Sequence, residues 1–194
     1  MDGACATTKL AIHHMRKKGK RGGGGSIVLT ASLAGYLASA GAPLYSAAKH
    51  GVVGLMRALK QECAKLNISI SVVAPGITVT PILTANNRAL TAASPDVYVK
   101  QMREAGVPIN TVESVALAVC WLLNEGRQAN GAGIFVQADR FLDLERGLAK
   151  SREVWMGKDM LDLFRRGRTA PMFERLGEEK SGSGSGSESV KAKI

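Results

Sequence analysis

The strongest constraint on this chain is an alternation between two hydrophobic periods. Leu10, Ala11, Ile12 and Met15 place apolar side chains within residues 4–18, which read as a helix. Ser26-Ile27-Val28-Leu29-Thr30 is an apolar run of strand length. A helix over about Tyr45 to Leu66 follows, with Val52, Leu55, Met56, Leu59, Cys63 and Leu66 at helical spacing. Ile68, Ile70 and Val72 alternate as a second strand that ends at Pro75-Gly76. Val112, Val115, Ala116, Val119, Cys120 and Leu123 form the next apolar stripe, capped by Asn110 or Thr111 with Glu113 in its first turn. Ile134-Phe135-Val136 is the third strand. Helix, strand, helix, strand, helix, strand is the order of a parallel sheet covered by helices. The expected fold is α/β, a partial Rossmann-like doubly wound sheet of about three strands, fewer than the roughly five or six usual for that class.

Punctuation between these elements sets the organisation. Gly22 to Gly25 break the first helix, and Gly51 and Gly54 read as points of close helix packing. Residues 81–106 have weak periodicity and read as a long loop with short helical pieces. After residue 140 the chain is mixed, basic and partly helical, and from 178 it is polar, with SGSGSGS at 181–187. The expected division is a folded domain over 1–148, an extension over 149–177 and a flexible tail over 178–194.

Charge and composition narrow the function classes. The 194 residues carry a formal net charge of +10. The basic residues cluster at Arg16, Lys17, Lys18, Lys20 and Arg21, and again at Arg165, Arg166 and Arg168. Neither cluster is interleaved with aromatics, so both read as solvated helix ends, and no nucleic-acid partner is expected. No run of about 18 apolar residues exists, so no membrane partner is expected. The start has no secretory pattern, and Cys5, Cys63 and Cys120 are far apart and in no metal-ligand spacing. A cytoplasmic protein with free thiols and no metal is the expectation. The adjacent His13 and His14 point about 100° apart on a helix and read as surface residues.

Chemistry enters with Tyr45 and Lys49, four apart on one helix and therefore on one face. A tyrosine's unperturbed pKa lies near 10, and a neighbouring cation favours its phenolate, which lets it act as general acid or base. Ser32 stands just past the first strand, at the carboxyl end where open α/β sheets bind ligands. Its hydroxyl is placed to hold a substrate oxygen.

The ordered set SIVLTASLAG over 26–35, YSAAK over 45–49 and PGITVTP over 75–81 resembles the short-chain dehydrogenase/reductase family, over roughly residues 3–148. The resemblance implies an NAD- or NADP-dependent oxidoreductase that interconverts an alcohol and a ketone by hydride transfer. Ser32 would orient the substrate oxygen, Tyr45 would move the proton, and Lys49 would favour the phenolate and bond the nicotinamide ribose. Pro75, Gly76 and Ile77 would lie beside the nicotinamide, with Thr80 reaching the carboxamide or phosphate. Residues 81–106 would cover the substrate.

The family begins with a strand and a glycine-rich turn. Here the first helix resembles one that follows the family's fourth strand. The chain therefore reads as the C-terminal catalytic half, with the N-terminal glycine-rich cofactor half missing. Gly19, Gly23 and Gly25 fit the glycine fingerprint by spacing, but a helix precedes them and a strand follows, so they read as a loop. Gln137-Ala138-Asp139-Arg140 stands where the family carries a glycine pair. The region beyond resembles extensions of fungal members that act on polycyclic or secondary-metabolite alcohols. A homo-oligomer is expected. The alternative is a non-catalytic interaction protein that pairs with a full-length relative.

Overall fold

The computed structural model describes residues 2–16, 23–81 and 95–169. The basic residues Lys17, Lys18, Lys20 and Arg21, most of the expected substrate-covering loop and the tail expected at 178–194 lie outside the described residues. The chain divides into two compact units, Met1–Lys150 and Ser151–Ile194.

The first unit holds the sheet. Helix α1 (Asp2–Met15) leads into strand β1 (Gly25–Thr30), and a single 3-10 turn at Leu33–Gly35 follows. Helix α2 (Pro43–Lys65) opens on a proline, whose missing N–H costs nothing in a first turn, and connects to β2 (Ile68–Pro75). Helix α3 spans Pro95–Glu104, inside the stretch that reads from sequence as a long loop with short helical pieces. Helix α4 (Val112–Glu125) begins at Thr111, whose hydroxyl accepts from the Ser114 amide at 3.3 Å. Strands β3 (Gly133–Gln137) and β4 (Arg140–Asp143) and helix α5 (Leu144–Lys150) complete the unit. The second unit contains α6 (Arg152–Met156) and α7 (Lys158–Thr169), the latter burying Leu161.

The sheet corrects the expected fold class. It is a four-stranded mixed sheet in the order β1-β2-β3-β4, not a partial sheet of about three strands, and seven α-helices accompany it among the described residues. Strands β1, β2 and β3 run parallel, while β4 is antiparallel to β3. The fourth strand exists because Ala138 and Asp139 both take positive φ, 48° and 58°. Two such residues make the tight turn that suits a hairpin, and Gln137 pairs with Arg140 across it. A glycine pair is the usual signal for that turn, and the segment lacks it.

Strand β2 is buried on both faces, as the interior strand of a parallel sheet must be. Ile68, Ile70, Val72 and Ala74 pack with Ile27 of β1 and with Val52, Val53 and Met56 of α2, while Ala11, Ile12 and Met15 of α1 close over them. On the opposite face Val73 packs with Ala118 and Leu122 of α4 and with Ile134 and Val136 of β3. Each large side chain buried in this way contributes about 1.5–3 kcal/mol. Helix α5 is tied to α2 by Arg57, which grips Glu145 in a fork with its shortest contact at 2.7 Å. Tyr36 lies under that pair, its ring 5.6 Å from the guanidinium carbon, and burial and the Glu145 carboxylate push its phenol well above the ordinary range. Gly54 does not serve close packing: a Cβ there would meet nothing within 4 Å.

Candidate active site

The carboxyl ends of β1 and β2 gather the residues singled out by sequence. Ser32 follows β1 by two residues and caps the 3-10 turn, its hydroxyl accepting from the Ala34 amide at 3.2 Å. The same hydroxyl donates a long bond, 3.4 Å, to the Pro75 carbonyl at the end of β2. One side chain thus joins the two strand ends at the sheet edge where ligands bind in such folds.

Tyr45 occupies the first turn of α2 and is 48% exposed. Lys49, one turn on, reaches back over the Tyr45 ring, with Nζ 5.6 Å from the ring centroid. Its ammonium also donates to the Thr30 carbonyl, the last of β1, at 2.9 Å. That bond ties the lysine to the end of β1. His50 points elsewhere and bonds the Ser46 carbonyl of its own helix at 2.9 Å.

Close approach of the Ser32 turn to α2 depends on Gly35. A Cβ at Gly35 would lie 2.8 Å from the Lys49 carbonyl oxygen and 3.1 Å from its carbon. At Gly76 a Cβ would collide with the far end of the Gln137 side chain, which is flexible, so the constraint there is weaker. The Gly76 amide donates to the Val136 carbonyl at 2.9 Å, and Thr78 donates its hydroxyl to the Gly76 carbonyl at 3.2 Å. Ile77 presents an apolar side chain that is 41% exposed, and Thr80 is half-buried two residues past a short bridge between Thr78 and Asn110. Ser32, Tyr45, Lys49, Pro75, Gly76 and Ile77 thus belong to one end of the sheet. No contact places Thr80 against the others among the described residues.

Sequence reasoning missed two residues that shape this end. Gly35 was only one letter of a motif, and its need for space is visible only against Lys49. Asn110 read as one of two candidate helix caps, yet Thr111 does the capping and Asn110 is 1% exposed inside the fold. Among the described residues no group of three His, Cys, Asp or Glu side chains is arranged for a metal.

A family model described as short chain dehydrogenase matches residues 1–91. The match lies in the N-terminal part of this chain and includes the glycine-rich segment that leads into β1. The reading of the chain as a C-terminal half whose glycine-rich N-terminal half is missing is corrected by that placement. The chain is 34% identical over 188 residues to short-chain dehydrogenase/reductase prx4 of Penicillium rubens, covering 88% of this chain and 53% of the relative. It is 38% identical over 149 residues to (-)-trans-carveol dehydrogenase of Rhodococcus erythropolis, covering 71% of this chain and 52% of the relative. The crystal structure of 3-hydroxyacyl-CoA dehydrogenase type-2 from Mycobacterium avium superposes with a TM-score of 0.53 at 29% identity, over 70% of this chain and 51% of that one. The chain spans about half the length of the curated relatives it matches.

Proposed function

We propose that the chain takes part in hydride exchange between a nicotinamide cofactor and a small alcohol or ketone, with Ser32, Tyr45 and Lys49 as its catalytic residues. The resemblance to short-chain dehydrogenases supports an NAD(P)-dependent oxidoreductase acting on alcohol or ketone substrates. The observation that carries the reading is the exposed Tyr45 with the Lys49 ammonium 5.6 Å from its ring, beside a serine bonded to the end of β2.

In this reading the Tyr45 hydroxyl exchanges a proton with the substrate oxygen while Ser32 holds that oxygen by hydrogen bonding. Lys49 keeps a positive charge beside the phenolate formed in that exchange, and its bond to Thr30 fixes where the charge sits. What supports a nicotinamide here is the surface of Pro75, Gly76 and Ile77, with Thr80 carried over from the resemblance alone. Ile77 offers an exposed apolar face suited to a flat ring. When bound, NAD or NADP would supply or accept the hydride. Relatives named for carveol and for 3-hydroxyacyl-CoA point to secondary alcohols as the substrate class.

A homo-oligomer fits the apolar groove of about 410 Å³ between α4 and β4, lined by Leu117, Trp121, Ile134, Phe141 and Leu142. Cytoplasmic residence fits three unpaired cysteines, and among the described residues no helix is long and apolar enough to cross a membrane.

The test is Tyr45→Phe in the protein that shows turnover of a reduced nicotinamide with a ketone. The side chain is exposed, so the melting temperature stays at the wild-type value while turnover is lost. Retained turnover with Tyr45→Phe would overturn the assignment.

A further inference from the structure

Asn110 is a polar residue buried to 1% exposure, next to a helix cap it does not provide. Burying an amide is unfavourable by several kcal/mol in an apolar medium unless its groups are bonded, so the partners show what the residue is for. Its side chain is bonded at both ends. Nδ2 donates to the Val136 carbonyl at 2.9 Å, and Oδ1 accepts from the Asp139 amide at 3.1 Å. Its backbone is bonded at both ends as well, but to a different segment. The Asn110 amide donates to the Ile77 carbonyl at 2.7 Å, and its carbonyl accepts from the Val79 amide at 3.0 Å.

The Val136 carbonyl also receives the Gly76 amide, at 2.9 Å. The loop that leaves β2 and the Asn110 side chain therefore meet on one carbonyl at the end of β3. We infer that Asn110 is a positioning residue that clamps the Pro75–Thr80 loop to the β3–β4 turn and so sets the height and tilt of the nicotinamide platform. This inference rests on the reading of that loop as the cofactor's neighbour. Only an asparagine does both side-chain tasks at this length. Aspartate of the same shape turns a carboxylate oxygen toward the Val136 carbonyl, and alanine leaves the Val136 carbonyl and the Asp139 amide each without this partner.

The test uses the full chain carrying Asn110→Ala, with Asn110→Asp as a volume-preserving second variant. Hydrogen exchange reads the clamp without any cofactor. The Gly76 and Val79 amides lose protection while Ile27 and Ile70 in the sheet keep theirs. Unchanged protection of Gly76 and Val79 in both variants would overturn the inference whatever the loop binds. Titration with NADH and NADPH then reads the platform. Affinity falls by about tenfold or more, the scale on which an unmade buried bond counts. In turnover the KM for the dinucleotide rises more than kcat falls, whereas a loss of folded protein would lower kcat at constant KM. A loosened loop with unchanged dinucleotide affinity also overturns the inference, and it places the failure in the cofactor reading of the loop. If Asn110→Ala does not fold, the same measurements on Asn110→Asp decide the matter.

Discussion

Replacing Gly35 by alanine adds one methyl group at the point of the candidate site where a turn lies against helix backbone. The new carbon would lie 2.8 Å from the Lys49 carbonyl oxygen, 3.1 Å from its carbonyl carbon and 3.1 Å from Val53 Cγ2. Two of those three neighbours are backbone inside a 23-residue helix, so they cannot rotate out of the way. The turn that carries Ser32 must move off α2 instead. Overpacking of this kind is destabilising by about 1–3 kcal/mol, which for a unit of this size lowers the melting temperature by roughly 3–10 °C. The same displacement separates Ser32 from Lys49, and a shift of about 1 Å between catalytic groups can remove on the order of 10²-fold in rate. Gly54→Ala is the internal control. It lies in the same helix with open space around the added carbon, and alanine is favoured over glycine in a helix interior by about 1 kcal/mol, so its melting temperature rises. Thermal melts of both variants against wild type are the assay. A Gly35→Ala protein that melts with wild type would show that the turn and helix are not in the contact described and would refute the reasoning.

Two further outcomes are expected. The Ser114 hydroxyl, the Thr111 amide and hydroxyl and the Arg103 charge hold the Asp139 carboxyl below its ordinary value. A carboxyl lowered on folding stabilises the protein above its unfolded pKa of about 4, and that contribution is lost as pH falls through the lower folded value. Melting temperature measured from pH 6 down to pH 2 should therefore fall less steeply for Asp139→Asn than for wild type, and superimposable profiles would count against the carboxylate's role at the turn. Light scattering on the wild-type chain should give a mass above that of one protomer, and Trp121→Glu, in the apolar groove beside Leu117 and Phe141, should reduce it toward one. A monomeric wild type would remove the oligomer proposal.

The parts of this fold that were legible in the sequence are those with a long period or a complete motif. Helices α2 and α4 carry apolar stripes over several turns, and β2 alternates from Ile68 to Val72 before its apolar run Val72–Ala74, so their existence follows from burial alone. The candidate catalytic residues were legible because Tyr45 and Lys49 share a helix, which turns a spacing into a distance. Strand β4 was hidden because four residues show too little alternation, and because Ala138 and Asp139 accept positive φ without the glycine that normally announces it. Bonds from Thr111 and Asn110 to Asp139 steady that turn, and they come from nearly thirty residues away in sequence. Asn110 and Gly35 were illegible for the same reason: their importance lies in contacts with segments that no local pattern connects to them. Helix α3 was anticipated only as unplaced short helical pieces, because the apolar period there is weak.

The burial of β2 on both faces bears on how the sequence can change over time. Its even-numbered residues from Ile68 to Ala74 belong to the cluster under α1 and α2, while Val73 belongs to the cluster under α4. The sheet thus divides the interior into two side-chain clusters, one on each face, that share the strand backbone. Substitutions in well-separated compartments combine additively, whereas those within one compartment depend on each other. A drift in the helices that cover one side therefore leaves the accepted residues on the other side unaltered. The two halves of this core can follow separate histories while the strand ends that carry Ser32 and Pro75 stay where they are.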